Sequence, residues 1–304
     1  MSDKQEIKIE SAEQFDAEIK KIQEIFQEKE SEHTWQGFDE ALSRLTVMIQ
    51  NGAYKYESSF LYGLKVLRKP IVNSLLTDRT RLSGTAVELI EEIAKALGPK
   101  FQSMADTYVA AILKLCMRTN KIFITRAQKC MIGIIKVSYI PAIIPKFREA
   151  LQDPSKNLRA CAAEFILASL EANDVGSLTD YIDDLESAIR EGAIDSTPAV
   201  RATTKKTFEV YKLKFDLRLQ DFVDTLPGMT KKYLGIQDKQ PPKPFRPPLR
   251  KAHSYAQAKE NPQPLSQTAP STINKRGVTG GAQRVKSKES NAEEKTKVRR
   301  AFTK

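Results

Sequence analysis

The chain has 304 residues, 40% of them hydrophobic and 29% charged, a balance typical of globular proteins. No apolar run reaches the roughly 18 residues that a bilayer span needs, and the N-terminus lacks the apolar segment of a secretory signal, so we expect a cytoplasmic or nuclear protein without membrane insertion. The net charge of +11 lies almost entirely in residues 239–304, which hold 16 Lys/Arg against 4 Asp/Glu, and this asymmetry predicts an acidic partner surface.

Apolar residues recur at helical spacing from residue 11 to residue 236. One clear stripe consists of Phe38, Ala41, Leu42, Leu45, Met48 and Ile49. The alternation of a half-buried strand is missing over any useful length. Turn signals separate the helices at Asn51-Gly52, Gly98-Pro99, Tyr139-Ile140-Pro141, Asn173-Asp174 and Gly192. The pattern predicts an all-α domain over residues 11–236, preceded by a flexible N-terminus of residues 1–10.

The residue types that carry catalysis or bind metals are sparse. Cys116, Cys130 and Cys161 lie within helical apolar patterns, and their odd count and spacing favour buried thiols over disulfides or metal ligands. The two histidines are His33 and His253, and the sequence has no nucleophile, zinc or phosphate-loop motif. We therefore expect no enzymatic activity, no cofactor and no metal site.

A short motif recurs within the helical region. The two clear copies are Asp153 with Leu158-Arg159 and Asp195 with Val200-Arg201, and a weaker third copy is Asn120 with Thr125-Arg126. The clear copies are 42 residues apart, within the range of about 40–47 for HEAT and armadillo repeats. The Asp or Asn can cap the second helix of a pair or turn the loop before it. The Arg can pair with an Asp or face a partner. We predict a solenoid of about six stacked helix pairs.

The composition changes after Ile236. The remaining residues carry eight of the fifteen prolines and few apolar side chains. Too little apolar surface is available there to offset the entropy lost when a chain becomes ordered. We predict that residues 237–304 form a disordered, Pro-rich and basic tail.

Four segments of the helical region resemble one known family. They are LRKPIVNSLLTDRTRLSGTAVELIEEIAKALGPKF, LKLCMRTNKIFITRAQKCMIGIIK, ALQDPSKNLRACAAEFILASL and DSTPAVRATTKKTFEVYKLKFDLR. In this order they resemble the N-terminal TOG-type domain of the CLIP-associating proteins (CLASPs) over roughly residues 11–236. The resemblance implies a HEAT-like TOG α-solenoid that binds αβ-tubulin through the loops within its helix pairs. It further implies a cytoplasmic protein of microtubules and the mitotic spindle that regulates or stabilises microtubule dynamics. The positive charge of the tail would aid attachment to the acidic surface of the lattice.

The same resemblance implies a set of tubulin-binding residues. Trp35, the only tryptophan, would be an apolar anchor against β-tubulin, and the later loops would make polar contacts toward α-tubulin. The full set is Trp35, Thr77, Asp78, Arg79, Arg81, Thr119, Asn120, Lys121, Lys156, Asn157, Arg159 and Arg201.

Several of these residues also have a structural interpretation. Trp35 stands in a polar setting before its helix, where a tryptophan either anchors a partner or folds over the end of the stack. Arg159 and Arg201 fit a structural Asp/Arg ladder equally well. Lys121 and Lys156 fit solvated loop tips, and Phe123 fits the core as well as the edge.

Two further features bear on partners. Ser271-Thr272-Ile273-Asn274 lacks the proline of an SxIP motif, so recruitment by end-binding proteins is not expected. The alternative function is a HEAT-repeat scaffold or adaptor whose basic tail binds nucleic acid or an anionic membrane. Nucleic acid is the weaker fit because the tail has only three aromatic residues on which bases can stack, Phe245, Tyr255 and Phe302.

Overall fold

The computed structural model describes residues 8–237, and this part of the chain is helical without a strand, as the sequence predicts. Residues 1–7 and 238–304, with the predicted basic tail and Ser271–Asn274, lie outside the described residues. The helices are α1 (Ala12–Ile25), α2 (Trp35–Gln50), α3 (Glu57–Leu76), α4 (Thr80–Leu97), α5 (Gln102–Cys116), α6 (Lys121–Ser138), α7 (Ile144–Ala150), α8 (Lys156–Ala172), α9 (Val175–Leu178), α10 (Ile182–Gly192), α11 (Pro198–Lys214), α12 (Asp216–Thr225) and α13 (Gly228–Leu234).

The helices pack as consecutive pairs in two layers. The pairs are α1/α2, α3/α4, α5/α6, α7/α8 and α10/α11, with α9 in the connection before the fifth pair. The short α12 and α13 follow as the last two helices, and both pack against α11. The second helices of the first five pairs pack side by side in chain order. In the other layer α3 lies between α1 and α5, and α7 packs against α10. This arrangement confirms the predicted HEAT-like solenoid of about six pairs.

An apolar core runs between the two layers along the whole described part of the chain. The stripe predicted on α2 is confirmed, because all six of its members are buried. Complete burial of one such large side chain contributes about 1.5–3 kcal/mol. Ile9 is also buried, although it lies within the N-terminal stretch predicted to be flexible.

The three cysteines are buried free thiols, as predicted. From Lys8 to Gln237 no group of His, Cys, Asp and Glu side chains could hold a metal ion. None of the helices in that range is long and apolar enough to cross a membrane.

The predicted breaks fall at the ends of helices, where the backbone must turn. Gly52 and Gly98 have positive φ angles of 93° and 53°, which a glycine adopts without the steric cost of a Cβ atom. Tyr139 ends α6 with a φ of 51°, a left-handed conformation that costs a non-glycine residue about 1–2 kcal/mol. Asn173 follows α8 as its C-cap, and the carboxylate of Asp174 accepts the backbone N–H of Ser177 to cap α9.

Gly192 marks a close approach between two helices. It is the last residue of α10, and a Cβ atom added there would overlap Oγ1 of Thr204 on α11 and lie 3.2 Å from its Cγ2. Thr204 is buried and β-branched, so it has little freedom to move away. The contact explains why a glycine stands at this crossing.

We expect Gly192→Ala to lower the free energy of unfolding by about 1–3 kcal/mol, because the added methyl group overpacks the crossing. Gly133→Ala is the matched control: it lies inside α6 with no atom within 4 Å of an added Cβ. There the better helix propensity of alanine should raise stability by up to about 1 kcal/mol. Urea unfolding followed by circular dichroism measures both variants, and a stability gain in Gly192→Ala would contradict the packing argument.

Candidate protein-binding edge

The loops within the first five pairs lie at the same end of the helices, because the second helices of those pairs pack side by side. We call this row of loops the loop edge. It consists of residues 26–34, 77–79, 117–120, 151–155 and 193–197 together with the first residues of the helices that follow them. All twelve residues of the predicted tubulin-binding set lie on the loop edge or in the first two turns behind it.

Trp35 is the first residue of α2 rather than a residue of the loop before it, which corrects its predicted position by one step. Its ring is half-buried and packs against the edge of the core. The guanidinium of Arg79, from the second loop, covers the ring at 5.5 Å from its centroid. Two carboxylates hold Arg79 there: its Nε lies 3.2 Å from Oε1 of Glu30, and its Nη2 lies 2.7 Å from Oε1 of Glu32. The same hydrogen bond from Arg79 lowers the pKa of Glu32.

Thr77 and Arg81 also make contacts within the domain. Thr77 is only 9% exposed, and its hydroxyl group donates a hydrogen bond of 2.6 Å to Glu30 of the first loop. The Arg81 side chain is 75% exposed, but its Nε lies 2.9 Å from the buried carboxylate of Asp39. Thr77 is therefore a structural residue, whereas Arg81 keeps most of its surface available to a partner.

Arg118 ties the third loop to the second. It donates to the carbonyl oxygens of Leu76 and Thr77 and to Oδ1 of Asp78, the last at 2.8 Å. Its guanidinium also stacks at 4.5 Å from the ring centroid of Phe123, which is buried and thus belongs to the core. The sequence places Arg118 in the third loop but gives no sign that it points back to the second one, so the prediction missed it.

The fourth loop is tied to both of its neighbours. The side-chain amide of Asn157 donates to the carbonyl oxygen of Arg118 at 3.1 Å. On the other side, Nε of Arg159 lies 2.7 Å from Oδ2 of Asp195 in the fifth loop. This ion pair is largely shielded from solvent, because the two side chains are 14% and 10% exposed.

The repeated Asp/Arg motif has one local structure in its two clear copies. The carboxylates of Asp153 and Asp195 accept the backbone N–H two residues later, at 2.7 Å and 2.6 Å, so they turn the loop rather than cap the helix. Arg159 and Arg201 each donate to the carbonyl oxygens five and six residues before them. In the weaker copy Arg126 instead donates to the carbonyl oxygen of Thr80 in the preceding pair.

The electrostatic state of Asp195 follows from these contacts. Burial alone raises the pKa of this carboxyl group, but hydrogen bonds from Arg159 and Thr197 outweigh it, and the pKa is lowered below its ordinary value of 3.8. A carboxyl group with a lowered folded-state pKa stabilises the fold above its unfolded-state pKa, and this contribution is lost as the pH falls through the folded-state value.

Three polar residues of the predicted set are exposed on the loop edge with fewer contacts inside it. Lys121 and Lys156 begin α6 and α8, and neither pairs with a carboxylate within residues 8–237. Thr119 is exposed beside Asn120, whose side chain caps α6 by accepting the backbone N–H of Ile122 at 2.9 Å. These residues are free to meet a partner without breaking an ion pair.

Apolar side chains that the sequence prediction missed are exposed on the loop edge or, in the case of Ile25, directly before it. They are Ile25, Met117, Ile122 and Ile194, each at least 40% exposed. All four lie beside a turn and outside the buried stripes, a signal that could have identified them. Exposed apolar side chains together with a half-buried tryptophan have the composition of a protein-binding surface.

Comparison with known proteins agrees with the fold. Residues 15–234 match the family model described as CLASP N terminal. The chain belongs to this family. The CLASP N-terminal match covers most of the described residues, and it confirms the resemblance to a TOG-type domain drawn from the sequence.

Individual relatives share this region at low identity. The chain is 28% identical over 240 residues to "Protein STU1" of Chaetomium globosum and 27% identical over 233 residues to "Protein STU1" of Gibberella zeae. These matches cover 77% and 75% of the chain but only 22% and 20% of the two relatives. A solved structure described as "Structural Basis of Microtubule Plus End Tracking by XMAP215, CLIP-170 and EB1" has the same fold, with a TM-score of 0.57 and 17% identity over 71% of this chain and 88% of that one. The CLASP N-terminal domain is thus about a fifth of the length of those relatives.

We expect Arg79→Gln to expose Trp35, because the guanidinium that covers the ring is removed. Since Trp35 is the only tryptophan, its fluorescence reports this position alone. The emission should shift to longer wavelength and become more easily quenched by acrylamide. Arg81→Gln is the control, because Arg81 lies on the same edge and makes no ring contact with Trp35. Equal spectra for the two variants would show that Arg79 does not shield the ring.

We expect Arg159→Met to lower the free energy of unfolding by about 1–3 kcal/mol at neutral pH, because Asp195 keeps its charge but loses its partner. As the pH falls below 3.8, the wild type should lose this contribution and the two proteins should converge in stability. Lys146→Met is the control, since its partner Asp106 is 86% exposed and such pairs contribute about 0–1 kcal/mol. A pH-independent difference between wild type and Arg159→Met would contradict an electrostatic cause.

Proposed function

We propose that this chain binds αβ-tubulin through the loop edge and thereby regulates microtubule dynamics. Membership of the CLASP N-terminal family supports the partner, and the exposed surface of the loop edge supports the location. The single observation that carries the location is the side-by-side arrangement of five loops, which brings Trp35, Lys121 and Lys156 to one edge although they are far apart in sequence.

The predicted tubulin-binding set divides into two groups under this proposal. The contacting group has partner-accessible surface and comprises Trp35, Asp78, Arg81, Thr119, Lys121 and Lys156, together with the exposed apolar residues Ile25, Met117, Ile122 and Ile194. The supporting group holds the loops in place and comprises Thr77, Arg79, Asn120, Asn157, Arg159 and Arg201.

The supporting group bears on affinity through preorganisation. A loop that is already held in its bound conformation loses less conformational entropy when a partner binds. Arg79, Arg118 and Arg159 each join two neighbouring loops, so the loop edge is rigid before tubulin arrives. The unpaired Lys121 and Lys156 would then attract an acidic partner without first losing an internal ion pair.

The basic residues 238–304 would add a second, less specific attraction to the acidic microtubule surface. The net charge of +12 on residues 239–304 acts over only about 8–10 Å at physiological ionic strength, so this contribution should fall as salt is raised. The proposal thus assigns selectivity to the loop edge and residence on the lattice to the tail.

We expect Trp35→Ala to weaken binding to free tubulin by about tenfold or more, because a tryptophan at an interface commonly contributes at least about 2 kcal/mol. Lys121→Glu/Lys156→Glu should weaken binding further and reduce its dependence on salt. Tyr62→Ala is the matched control, an exposed aromatic residue of α3 away from the loop edge. Gel filtration with tubulin dimers and pelleting with microtubules measure the two kinds of binding.

The same measurements on a chain ending at residue 237 separate the tail from the edge. Its binding to free dimer should be close to wild type, and its pelleting with microtubules should be reduced at low salt. Thermal unfolding of every variant checks that the fold is intact. The proposal fails if folded Trp35→Ala and the lysine variant bind dimer as tightly as Tyr62→Ala, and displacement by RNA but not by tubulin would favour the scaffold alternative.

A further inference from the structure

Thr197-Pro198 is the only Ser/Thr-Pro pair in the 304 residues, and it lies in the fifth loop of the loop edge. Thr197 has an extended backbone, with φ −85° and ψ 119°, and its side chain does not cap α11. The adjacent Ser196 and Pro198 are exposed, and so is Ile194. Thr197 itself is partly exposed. A hydroxyl group on a residue with extended backbone, followed by an exposed proline, is the local feature that proline-directed protein kinases recognise.

We propose that Thr197 is a phosphorylation site for a proline-directed protein kinase, and that the phosphate weakens the binding of an acidic protein to the loop edge. In the reaction, Oγ1 of Thr197 attacks the γ-phosphorus of ATP, the bond from that phosphorus to the β–γ bridging oxygen breaks, and ADP leaves. The hydroxyl proton passes to the catalytic base of the kinase. The second half of the proposal rests on the proposed function, and the first half does not.

The surroundings of Thr197 include groups that would hold a phosphate. Nη2 of Arg159 already donates to Oγ1 of Thr197 and to Oγ of Ser196, both at 3.1 Å. Arg201 lies close by, because it donates to the carbonyl oxygens of Asp195 and Ser196. A phosphate carries about −1.5 to −2 charges at neutral pH and makes strong, charge-assisted hydrogen bonds to guanidinium groups.

The same phosphate would compete with Asp195 for Arg159. The Asp195 carboxylate holds Arg159 at 2.7 Å and also accepts the backbone N–H of Thr197 at 2.6 Å, so the two anions would stand side by side. Arg159 would be drawn from the carboxylate toward the phosphate. The fifth loop would gain negative charge and lose part of its tie to the fourth loop, and both changes oppose the binding of an acidic partner.

Other hydroxyl groups of the loop edge do not combine these features. The Ser155 side chain caps α8 by accepting the backbone N–H of Leu158, and Lys156 rather than proline follows it. Thr77 is buried and bonded to Glu30. Thr119 is exposed but is followed by Asn120. Thr197 alone among them is partly exposed, followed by proline and in contact with an arginine.

The test incubates the full chain with a cyclin-dependent kinase and ATP, then locates phosphate by peptide mass spectrometry. We expect phosphate on Thr197 in the folded protein, and none there in Thr197→Val. Pro198→Ala keeps the hydroxyl group and removes the recognised proline, so modification of Thr197 should fall at least about tenfold while circular dichroism shows an unchanged fold; alanine is readily accommodated at the first position of a helix. An unmodified Thr197 in the folded chain, under conditions that modify a peptide of residues 192–201, overturns the proposal.

Two readouts on the modified protein test the rest. By phosphorus NMR, the second pKa of the phosphothreonine should be lower than in a peptide of residues 192–201, since Arg159 stabilises the dianion, and Arg159→Gln should remove most of the shift. Affinity for free tubulin should fall by about five- to tenfold, within the range of typical regulatory couplings. Unchanged affinity, with Trp35→Ala still impaired, overturns the regulatory half. If the unmodified chain binds no tubulin, the proposed function fails, while mapping and NMR still decide the site.

Discussion

The ties between successive loops are the constraint on which the loop edge depends. A helix pair in a solenoid cannot bury its apolar face alone and must stack on its neighbours. Stacking buries the stripes of the helices, but it fixes the loops at their ends only loosely. Here Arg79, Arg118 and Arg159 each reach from one loop to another and donate to carboxylates or carbonyl oxygens there. A planar guanidinium with five donors suits this role, since it can satisfy several acceptors of a neighbouring loop at once.

Because of these contacts, some charged side chains of the loop edge are already paired within the domain, and others remain available to a partner. Arginines that are bonded within the domain contribute geometry, and breaking such a shielded pair to meet a partner would leave a carboxylate uncompensated. Lys121 and Lys156, at the starts of α6 and α8, can contact a partner without breaking such an ion pair. The exposed isoleucines and Met117 lie at or next to the same row of loops, so the surface available for recognition includes apolar side chains and a few free cations. This division explains how a nearly neutral domain can present a specific surface without a large excess of charge.

The sequence predicted the helices and their stacking because both depend on local patterns. The α2 stripe, the turn signals and the 42-residue repeat each act over a few residues or through one repeated unit. The direction of a long side chain does not follow from such patterns. On sequence, Arg79 was assigned to a partner, and Arg159 fitted a partner or a structural ladder equally well. Only the stacked neighbours show that Glu30, Glu32 and Asp195 are within reach. Arg118 was missed for the same reason, because its acceptors lie about 40 residues earlier in the chain.

The core and the loop edge therefore depend on different interactions, and this separation bears on regulation. Burial of the large apolar side chains between the layers supplies most of the stability, at about 1.5–3 kcal/mol for each. The tie between Arg159 and Asp195 contributes less, so a competitor for Arg159 can loosen the fifth loop while the stack stays folded. The hydroxyl group of Thr197 accepts a hydrogen bond from Arg159, and Thr197 is the one Ser or Thr residue that proline follows. A charge added at this position would change the conformation and the potential of the loop edge together, because one guanidinium supports both.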